Sequence, residues 1–520
     1  MRERKSKIAL VAPDNPGTFR SRMIRKENLA LGYLTTQLRS LGHEVEIYDA
    51  RLFKLDPETV CEEIIHFNPG IIGISLIVEE AAEWSSKFTS LLKQNTFQSH
   101  IILGGYFPSL QPERALELIP EASLVVIGEG ELTLSEIASK LAEQQDLAGI
   151  PGTVSRLPTG KFFYGPHRPL VENLDDLPLP YHYALDYISE ISIEGSRGCF
   201  NNCTFCSIGP HFRARPRLSW RGRSPESIVE EMIGLRKKAP QINYYRFVDP
   251  DFIGARRFGE QRLFRLAELF KEYLPGIKFF IETKPTNVRN KSLFKTLKEA
   301  GLAEVYVGVE SGSEKILTCM RKGFSLEQVR SAINLLSELN IDYQYGFMMF
   351  TPWSNEEDIR ASVAFLREIG SVQIDKLFYD MYVIPGTPAV KQIKELGMQP
   401  LEEMVGIGYL KYAPRLVRQL RLIGKKLETD YSGFLTELWL LFQTLRPYLR
   451  EGKNWARILE RKVSDLYLDI FIYCLEEVKK IDYENPEIAE IVLSNCISRF
   501  KSNVEELASD LLAKANQPKS

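Results

Sequence analysis

Short runs of β-branched and other apolar residues recur along the first 145 positions, each followed by an amphipathic stretch at helical spacing. Ile8–Ala12, Val45–Asp49, Ile71–Ile77, Ile101–Leu103 and Leu124–Ile127 read as strands, with Leu29–Leu41 and Ala81–Lys93 among the helices between them. Strands this short and this apolar are buried on both faces, and strands joined through helices run parallel. Five such units predict an α/β domain, a flavodoxin-like doubly wound parallel sheet. From Gly149 to about Tyr187 the pattern breaks: Pro151, Pro158, Pro166, Pro169, Pro178, Pro180 and the acidic turn Asp175-Asp176 read as an ordered linker.

The alternation then resumes with strands at Ile191–Glu194, Tyr244–Val248, Lys278–Glu282, Glu304–Val309, Tyr343–Met349 and Lys376–Val383. Ser224–Lys237, Lys291–Ala300, Leu326–Leu339 and Glu356–Ile369 read as helices among them. Six repeated units predict a partial (β/α)6 barrel, in which chemistry gathers at the C-terminal ends of the strands. Past Leu401 the strand signals stop. Phe434, Leu435, Leu438, Trp439, Leu441, Phe442 and Leu445 recur at helical spacing, and amphipathic helices reach Leu512, which predicts a helical region packed on the barrel. Residues Asn516–Ser520 read as a frayed end. The domains expected are 1–147, a 148–188 linker, 189–400 and a helical 401–520.

Composition narrows the class. Lys plus Arg (66) nearly balance Asp plus Glu (68), so no bulk positive field exists to drive non-specific nucleic-acid binding, and no nucleic-acid partner is expected. No run of 18 apolar residues occurs, so no membrane span is expected, and the apolar stretch Ile8–Ala12 is too short for a secretory segment. Seven cysteines in 520 residues make no disulfide framework. A cytoplasmic protein with reduced thiols is expected.

Three of the seven crowd together in Gly195-Ser-Arg-Gly-Cys199-Phe-Asn-Asn-Cys203-Thr-Phe-Cys206, directly after the first barrel strand. Thiolates on one short loop can face one metal centre, and thiolate ligation selects zinc or an iron–sulfur cluster. With His211 five residues on, a Cys3His zinc site is one reading; three cysteines on a 4Fe–4S cluster, leaving one iron open, is the other. Cys61, Cys319, Cys474 and Cys496 fall in helical patterns and read as core residues.

CxxxCxxC at the end of the first strand of a six-unit barrel resembles the radical S-adenosylmethionine (SAM) superfamily. The resemblance runs through the barrel. Phe205, before the last cysteine, stands where the family packs near the adenine, and Cys199, Cys203 and Cys206 stand where it ligates its cluster. Val248-Asp249-Pro-Asp251-Phe252 resembles the second-strand end that contacts the methionine part of SAM. Ile281-Glu-Thr-Lys284 resembles the third, whose basic residue serves the active site. Tyr306-Val-Gly-Val-Glu310-Ser311-Gly312 resembles the fourth-strand segment near the SAM ribose and carboxylate. Gly346-Phe-Met348-Met-Phe-Thr-Pro352 resembles the fifth, with Met348 beside the adenine, and Tyr382–Pro388 matches the sixth-strand turn. One departure is Phe350, where the family's fifth strand usually carries glycine.

The first domain resembles the cobalamin-binding domains of this group. Ser75-Leu-Ile77 and Gly104-Gly105 are separated by 26 residues, as in the family fingerprint, with Tyr106 following, and Gly128-Glu129-Gly130-Glu131 resembles a further element of it. A serine can hydrogen-bond a buried nucleotide tail, and paired glycines let backbone approach a bulky ligand. The first loop departs: Gly32 takes the final glycine position and Leu29 the histidine position, so a histidine ligand to cobalt is excluded there; His43 and His66 read as solvated.

Together these features resemble cobalamin-dependent radical SAM enzymes over about residues 6–400. The resemblance implies a 4Fe–4S cluster, SAM and cobalamin as cofactors, a 5′-deoxyadenosyl radical that takes hydrogen from an unactivated carbon, and methylcobalamin as methyl donor. Methyl transfer to carbon or phosphorus is the first expectation. A cobalamin-dependent radical oxidase or cyclase is the alternative, and a non-catalytic iron–sulfur sensor a third. A methylthiotransferase is disfavoured, because the first domain holds only Cys61. The expected partners are a small-molecule or peptide substrate and an external flavodoxin- or ferredoxin-like electron donor. The substrate pocket is expected between the barrel mouth and cobalamin, with the C-terminal helices as candidates to close it.

Overall fold

The computed structural model describes residues 5–14, 26–212, 220–254, 256–397, 411, 413–480 and 486–515. The tail expected to fray, Asn516–Ser520, lies outside them. The chain divides into two compact units, Met1–Phe200 with Ser207–Ile277, and Asn201–Cys206 with Lys278–Ser520.

In the first unit β1 (Lys7–Ala12) is the centre of a sheet with β2 (Glu44–Asp49), β3 (Ile71–Ser75), β4 (His100–Gly104) and β5 (Leu124–Val126). The order is 2-1-3-4-5, all parallel, which is the doubly wound flavodoxin-like arrangement. Successive residues of β1 belong to opposite cores: Ala9 and Val11 pack with Ile64, Phe88 and Leu116, whereas Ile8 and Leu10 pack with Leu31, Leu134 and Ile137. Both faces of the sheet are therefore covered, as the unbroken apolar runs require. The order reverses between β1 and β3, and the crevice beyond the strand ends at such a point is where open α/β sheets bind ligands.

The proline-rich stretch does more than connect. It supplies β6 (Thr153–Arg156) and β7 (Phe162–Tyr164), which extend the sheet antiparallel past β5. The first unit continues with β8 (Ile191–Ile193), the ribbon β9 (Ser196–Gly198) and β10 (Trp220–Gly222), and β11 (Tyr244–Phe247), which pairs in parallel with β8.

The second unit carries the parallel strands β12 (Lys278–Thr283), β13 (Leu302–Glu310) and β14 (Asp342–Phe347). Capping boxes at Ser325/Gln328 and Asn355/Asp358 fix the starts of the helices Leu326–Glu338 and Glu356–Ile369. The expected sixth strand, Lys376–Val383, is not one. It begins within a helical turn, Ile374–Leu377, and forms no continuous strand: isolated bridges stand at Asp380, paired with Phe350, and at Val383. Its polar residues are drawn into tertiary contacts instead: Lys376 donates to the Tyr345 carbonyl beneath the Tyr306 ring, and Asp380 pairs with Arg421. The C-terminal helices Arg415–Thr429, Ser432–Arg450, Asn454–Lys479 and Pro486–Ala515 follow. Among the described residues no helix is long and apolar enough to cross a membrane.

Candidate functional site

Beyond the C-terminal ends of β1, β3, β4 and β5 lies a cavity of about 420 Å³, within the range of small-ligand pockets. Ser75, Gly104, Gly105, Tyr106, Gly128 and Glu129, far apart in sequence, all line it. Ser75 ends β3, and its hydroxyl accepts from Asn28 Nδ2 at 3.4 Å. Gly104 ends β4, and a Cβ there would meet nothing within 4 Å. Gly105 has φ +103°, and a Cβ on it would stand 2.4 Å from the Leu76 carbonyl oxygen. Its missing side chain therefore serves the close approach of two strand ends, while that of Gly104 leaves the cavity open. Where the fingerprint calls for a bulky ligand, the wall is thus backbone and one hydroxyl, which fits cobalamin. Leu29 also lines the cavity and offers no lone pair to a metal. His43 accepts from the Ser6 amide at 3.3 Å, and His66 sits in the last turn of Pro57–Phe67.

The remaining wall comes from Ser192, Glu194, Val248 and Pro250 beside β8 and β11, from Ser196, Arg197 and Gly198 of β9, and from His211. The His211 ring lies 4.6 Å from that of Tyr106, and burial pushes its pKa down to about 4, so it is neutral. Behind Leu29, His182 is held between Glu27 and Glu231, and Tyr183 bonds Asp49 at 2.6 Å and accepts from the Asn28 amide at 2.6 Å. Burial opposes a charge on His182, but the Glu231 and Glu27 carboxylates outweigh it and raise its pKa to about 9.

Asp249 is fully buried and does not line the cavity; its Oδ2 accepts from the Gly195 amide at 3.0 Å. Burial lifts its pKa to about 7, against the hydrogen bonds from Ser196 and Gly195 and the charge of Arg262. Asp251 is 1% exposed, and its carbonyl accepts from Trp220 Nε1 at 2.7 Å. The Asp249 carboxylate thus lies inside the turn that bears Gly195.

In the second unit the later half of the cysteine loop is fixed through Thr204, whose amide donates to the Met320 carbonyl at 3.0 Å and whose carbonyl accepts from Ala389 at 2.8 Å. Phe205 packs with Met348, Ile316 and Met320. Glu310 has φ +74°, and its carboxylate lies over the register partners Gly308 and Gly346: Cβ atoms there would come within 3.1 and 2.8 Å of it. Lys322 donates to Glu310 Oε1 at 3.2 Å and lies 5.6 Å above the Phe205 ring. Burial opposes its charge, but Glu310, Cys203 and Cys206 outweigh it, and its pKa is raised. Lys284 donates to Asn201 Oδ1 at 3.2 Å, and Ser311 Oγ accepts from the Ser313 amide at 3.2 Å.

Cys203 is buried and Cys199 and Cys206 are half-buried. Among the described residues no three Cys, His, Asp or Glu side chains are gathered as a metal site, which holds for the three thiols and for the Cys3His arrangement with His211. Ligand loops of this kind take their final form through the metal bonds themselves. The donor chemistry fits an anionic cluster: thiols on one short loop, with the buried cation Lys322 against two of them. Lys322, Arg197 and Arg221 were not legible as site residues, because single basic residues in α/β sequence carry no periodic or motif signal.

Comparison with known proteins agrees with this geometry. Residues 26–138 match the B12 binding domain and residues 193–366 the Radical SAM superfamily. The uncharacterized methyltransferase PH0819 of Pyrococcus horikoshii is 29% identical over 374 residues, 70% of this chain and 78% of that protein. The 4′-phospho-dehydrooxetanocin synthase of Priestia megaterium is 28% identical over 63% of this chain and 46% of its own length. An anaerobic magnesium-protoporphyrin IX monomethyl ester cyclase of Rubrivivax gelatinosus is 26% identical over 61% and 58%. Among solved structures, the cobalamin-dependent SAM radical enzyme OxsB, with aqua-cobalamin and SAM bound, superposes with a TM-score of 0.73 at 19% identity, covering 99% of this chain and 81% of that one. The radical SAM methyltransferase TsrM from Kitasatospora setae, with cobalamin and a 4Fe–4S cluster, gives 0.60 at 19% identity over 75% and 78%. Residues 193–366 thus form a radical SAM domain, and the chain is a radical SAM enzyme. With a B12-binding domain ahead of the core, it is a cobalamin-dependent member, whose cofactors are SAM, a 4Fe–4S cluster and cobalamin.

Proposed function

We propose that this enzyme is a methyltransferase that alkylates an unactivated carbon, or a phosphorus centre, of a small-molecule or peptide substrate. The observation that carries the reading is the one cavity on which Ser75, Gly104, Gly105, Tyr106, Gly128 and Glu129 of the cobalamin fingerprint converge, with β8, β9 and β11 supplying its other wall. When bound, the cofactors supply radical initiation and the methyl group. The chain's residues bind and orient them. Cys199, Cys203 and Cys206 hold the cluster; Phe205 and Met348 form the apolar bed for the adenine; Glu310 and Ser311, at the end of β13, face the polar part of SAM, with Lys322 fixing the Glu310 carboxylate. Lys284 serves the same strand-end face. Ser75, Gly104, Gly105, Tyr106 and Gly128 receive cobalamin. The functional division is 1–147 for cobalamin, with 148–188 extending its sheet, 189–400 for the radical SAM core and 401–520 beyond it, and electrons come from an external flavodoxin- or ferredoxin-like donor.

The cyclase relatives favour a second reading, radical ring formation without methyl transfer. Anaerobic reconstitution with cobalamin, cluster and methyl-deuterated SAM, followed by untargeted product mass analysis, separates the two. A product carrying one labelled methyl group supports methyl transfer. An unlabelled product that has lost hydrogen replaces that reading with the second.

A further inference from the structure

Glu129 stands at the cofactor cavity, in a turn expected to touch cobalamin, yet its carboxylate is already saturated. Oε1 accepts from Arg197 Nη1 at 3.1 Å and Arg221 Nη2 at 2.8 Å; Oε2 accepts from Arg221 Nη1 at 3.2 Å and the Val171 amide at 3.0 Å. A carboxylate offers about four lone-pair sites, so none is left for a ligand. Arg197 is committed in turn: Nη2 donates to Glu131 at 2.6 Å, Nε to Glu194 at 2.9 Å, and its guanidinium lies 5.2 Å from the Tyr33 ring centre. Arg197 and Arg221 are register partners across the β9–β10 ribbon. That ribbon leads, two residues after Arg197, into Cys199.

We propose that Arg197 is a positioning residue that links the placement of Cys199 to the filling of the cavity, with Glu129 and Glu131 acting through it rather than on a ligand. The proposal rests on the cobalamin reading of that cavity. Glu129, Glu131, Glu194 and Arg197 all form part of its wall, and each is at most 18% exposed. A ligand that excludes water from the wall strengthens charge pairs behind it, because the local dielectric falls. A stiffer Arg197 fixes β9, and β9 carries Cys199. The same link works in reverse: a metal-held Cys199 fixes β9 and, through Arg197, the 128–131 turn. Coupling of two binding equilibria is reciprocal.

The test measures binding of hydroxocobalamin by equilibrium dialysis to the full chain, iron-free and cluster-reconstituted, in wild type and in Arg197→Lys. Lysine keeps the charge but cannot bridge several carboxylates as the guanidinium fork does. In wild type, cluster loading should tighten cobalamin binding about fivefold or more, and cobalamin should alter the electron paramagnetic resonance spectrum of the reduced cluster. In Arg197→Lys the affinity ratio should fall toward one and the spectrum should no longer respond, while each cofactor still loads alone. Glu131→Gln, a milder change, should give a ratio below that of wild type and serves if the lysine variant does not fold. A ratio of one in wild type, or a wild-type ratio in a folded variant, overturns the proposal. Absence of cobalamin binding in both wild-type forms overturns the cavity reading itself.

Discussion

The adjacent glycines at the end of β4 should separate folding from ligand binding when each is substituted. Gly105 has φ +103° and ψ −172°, a region closed to side-chain-bearing residues at a cost of roughly 1–3 kcal/mol. A Cβ there would also meet the Leu76 oxygen at 2.4 Å and the Leu76 carbonyl carbon at 2.9 Å. Both are backbone atoms and cannot swing aside. Moving them strains the bonds from Leu76 N–H to Gly104 O, 2.8 Å, and from Phe107 N–H to Leu76 O, 3.2 Å. Overpacking of this kind adds roughly 1–3 kcal/mol, so Gly105→Ala should destabilise by roughly 2–6 kcal/mol. At roughly 2–4 °C per kcal/mol for a large domain, the melting temperature should fall by at least about 4 °C. Gly104→Phe should behave oppositely. Its Cβ has no neighbour within 4 Å, and its ring would enter the cavity. Its melting temperature should stay within about 2 °C of wild type, while cobalamin retention falls at least about tenfold, or about 1.4 kcal/mol. Differential scanning fluorimetry of the cofactor-free protein and equilibrium dialysis read the two quantities. A Gly105→Ala protein as stable as wild type, or a Gly104→Phe protein that binds cobalamin normally, would refute the division of roles.

Four further outcomes are expected. The folded pKa of His182, about 9, lies above its ordinary value of 6.5, so its contribution is full below about pH 6.5 and is lost as pH rises through 9; chemical denaturation from pH 6 to 10 should show a loss of about 3 kcal/mol that His182→Gln abolishes. The folded pKa of Asp249, about 7, also lies above its ordinary 3.8, so stability should decline between those values as pH rises; Asp249→Asn should flatten that decline, and Asp249→Ala, which leaves the Gly195 amide without its acceptor, should cost about 1–3 kcal/mol in urea unfolding. Replacing Cys199, Cys203 and Cys206 together by Ala should remove iron and sulfide, read by elemental analysis after anaerobic reconstitution; retention of both would refute cluster ligation by these thiols. Arg446→Met, which strips the buried Glu304 and Asp342 carboxylates of a partner, should cost about 3–5 kcal/mol in denaturant unfolding of the second unit.

Elements with a period of their own were legible in the sequence. The strands β1 to β5 begin and end within about two residues of the apolar runs; β1, β3, β4 and β5 carry almost no polar residue to blur their edges, while the edge strand β2 alternates, with Glu44 and Glu46 exposed. The helices Glu356–Ile369 and Leu326–Glu338 fall within one residue of the bounds their helical spacing predicted. Lys376–Val383 misled for the opposite reason. Its apolar residues suit a strand, but Lys376, fully enclosed, bonds a carbonyl of β14, and Asp380 bonds Arg421, so tertiary contacts outweigh propensity. The cobalamin fingerprint found the cavity because glycine and serine at strand ends carry local geometry. The charged groups behind it escaped, since the partners Glu129 and Arg197 are 68 residues apart and only the fold brings them together.

The second unit also divides its charges by the direction of its strands. Glu310 and the glycine pair Gly308 and Gly346 stand at the C-terminal ends of β13 and β14, the face on which parallel barrels place chemistry. Glu304 and Asp342, register partners near the starts of the same strands, meet Arg446, and Glu304 also meets Arg450 at 2.8 Å. Six residues of extended chain separate Glu304 from Glu310, about 20 Å at about 3.3 Å per residue. The helix Ser432–Arg450 is therefore anchored by its C-terminal end at the foot of these strands. Carboxylates at the foot that spend their charge on arginines of the same unit stabilise the fold. The carboxylate at the mouth pairs with Lys322 and lies over Gly308 and Gly346, whose missing side chains leave it room.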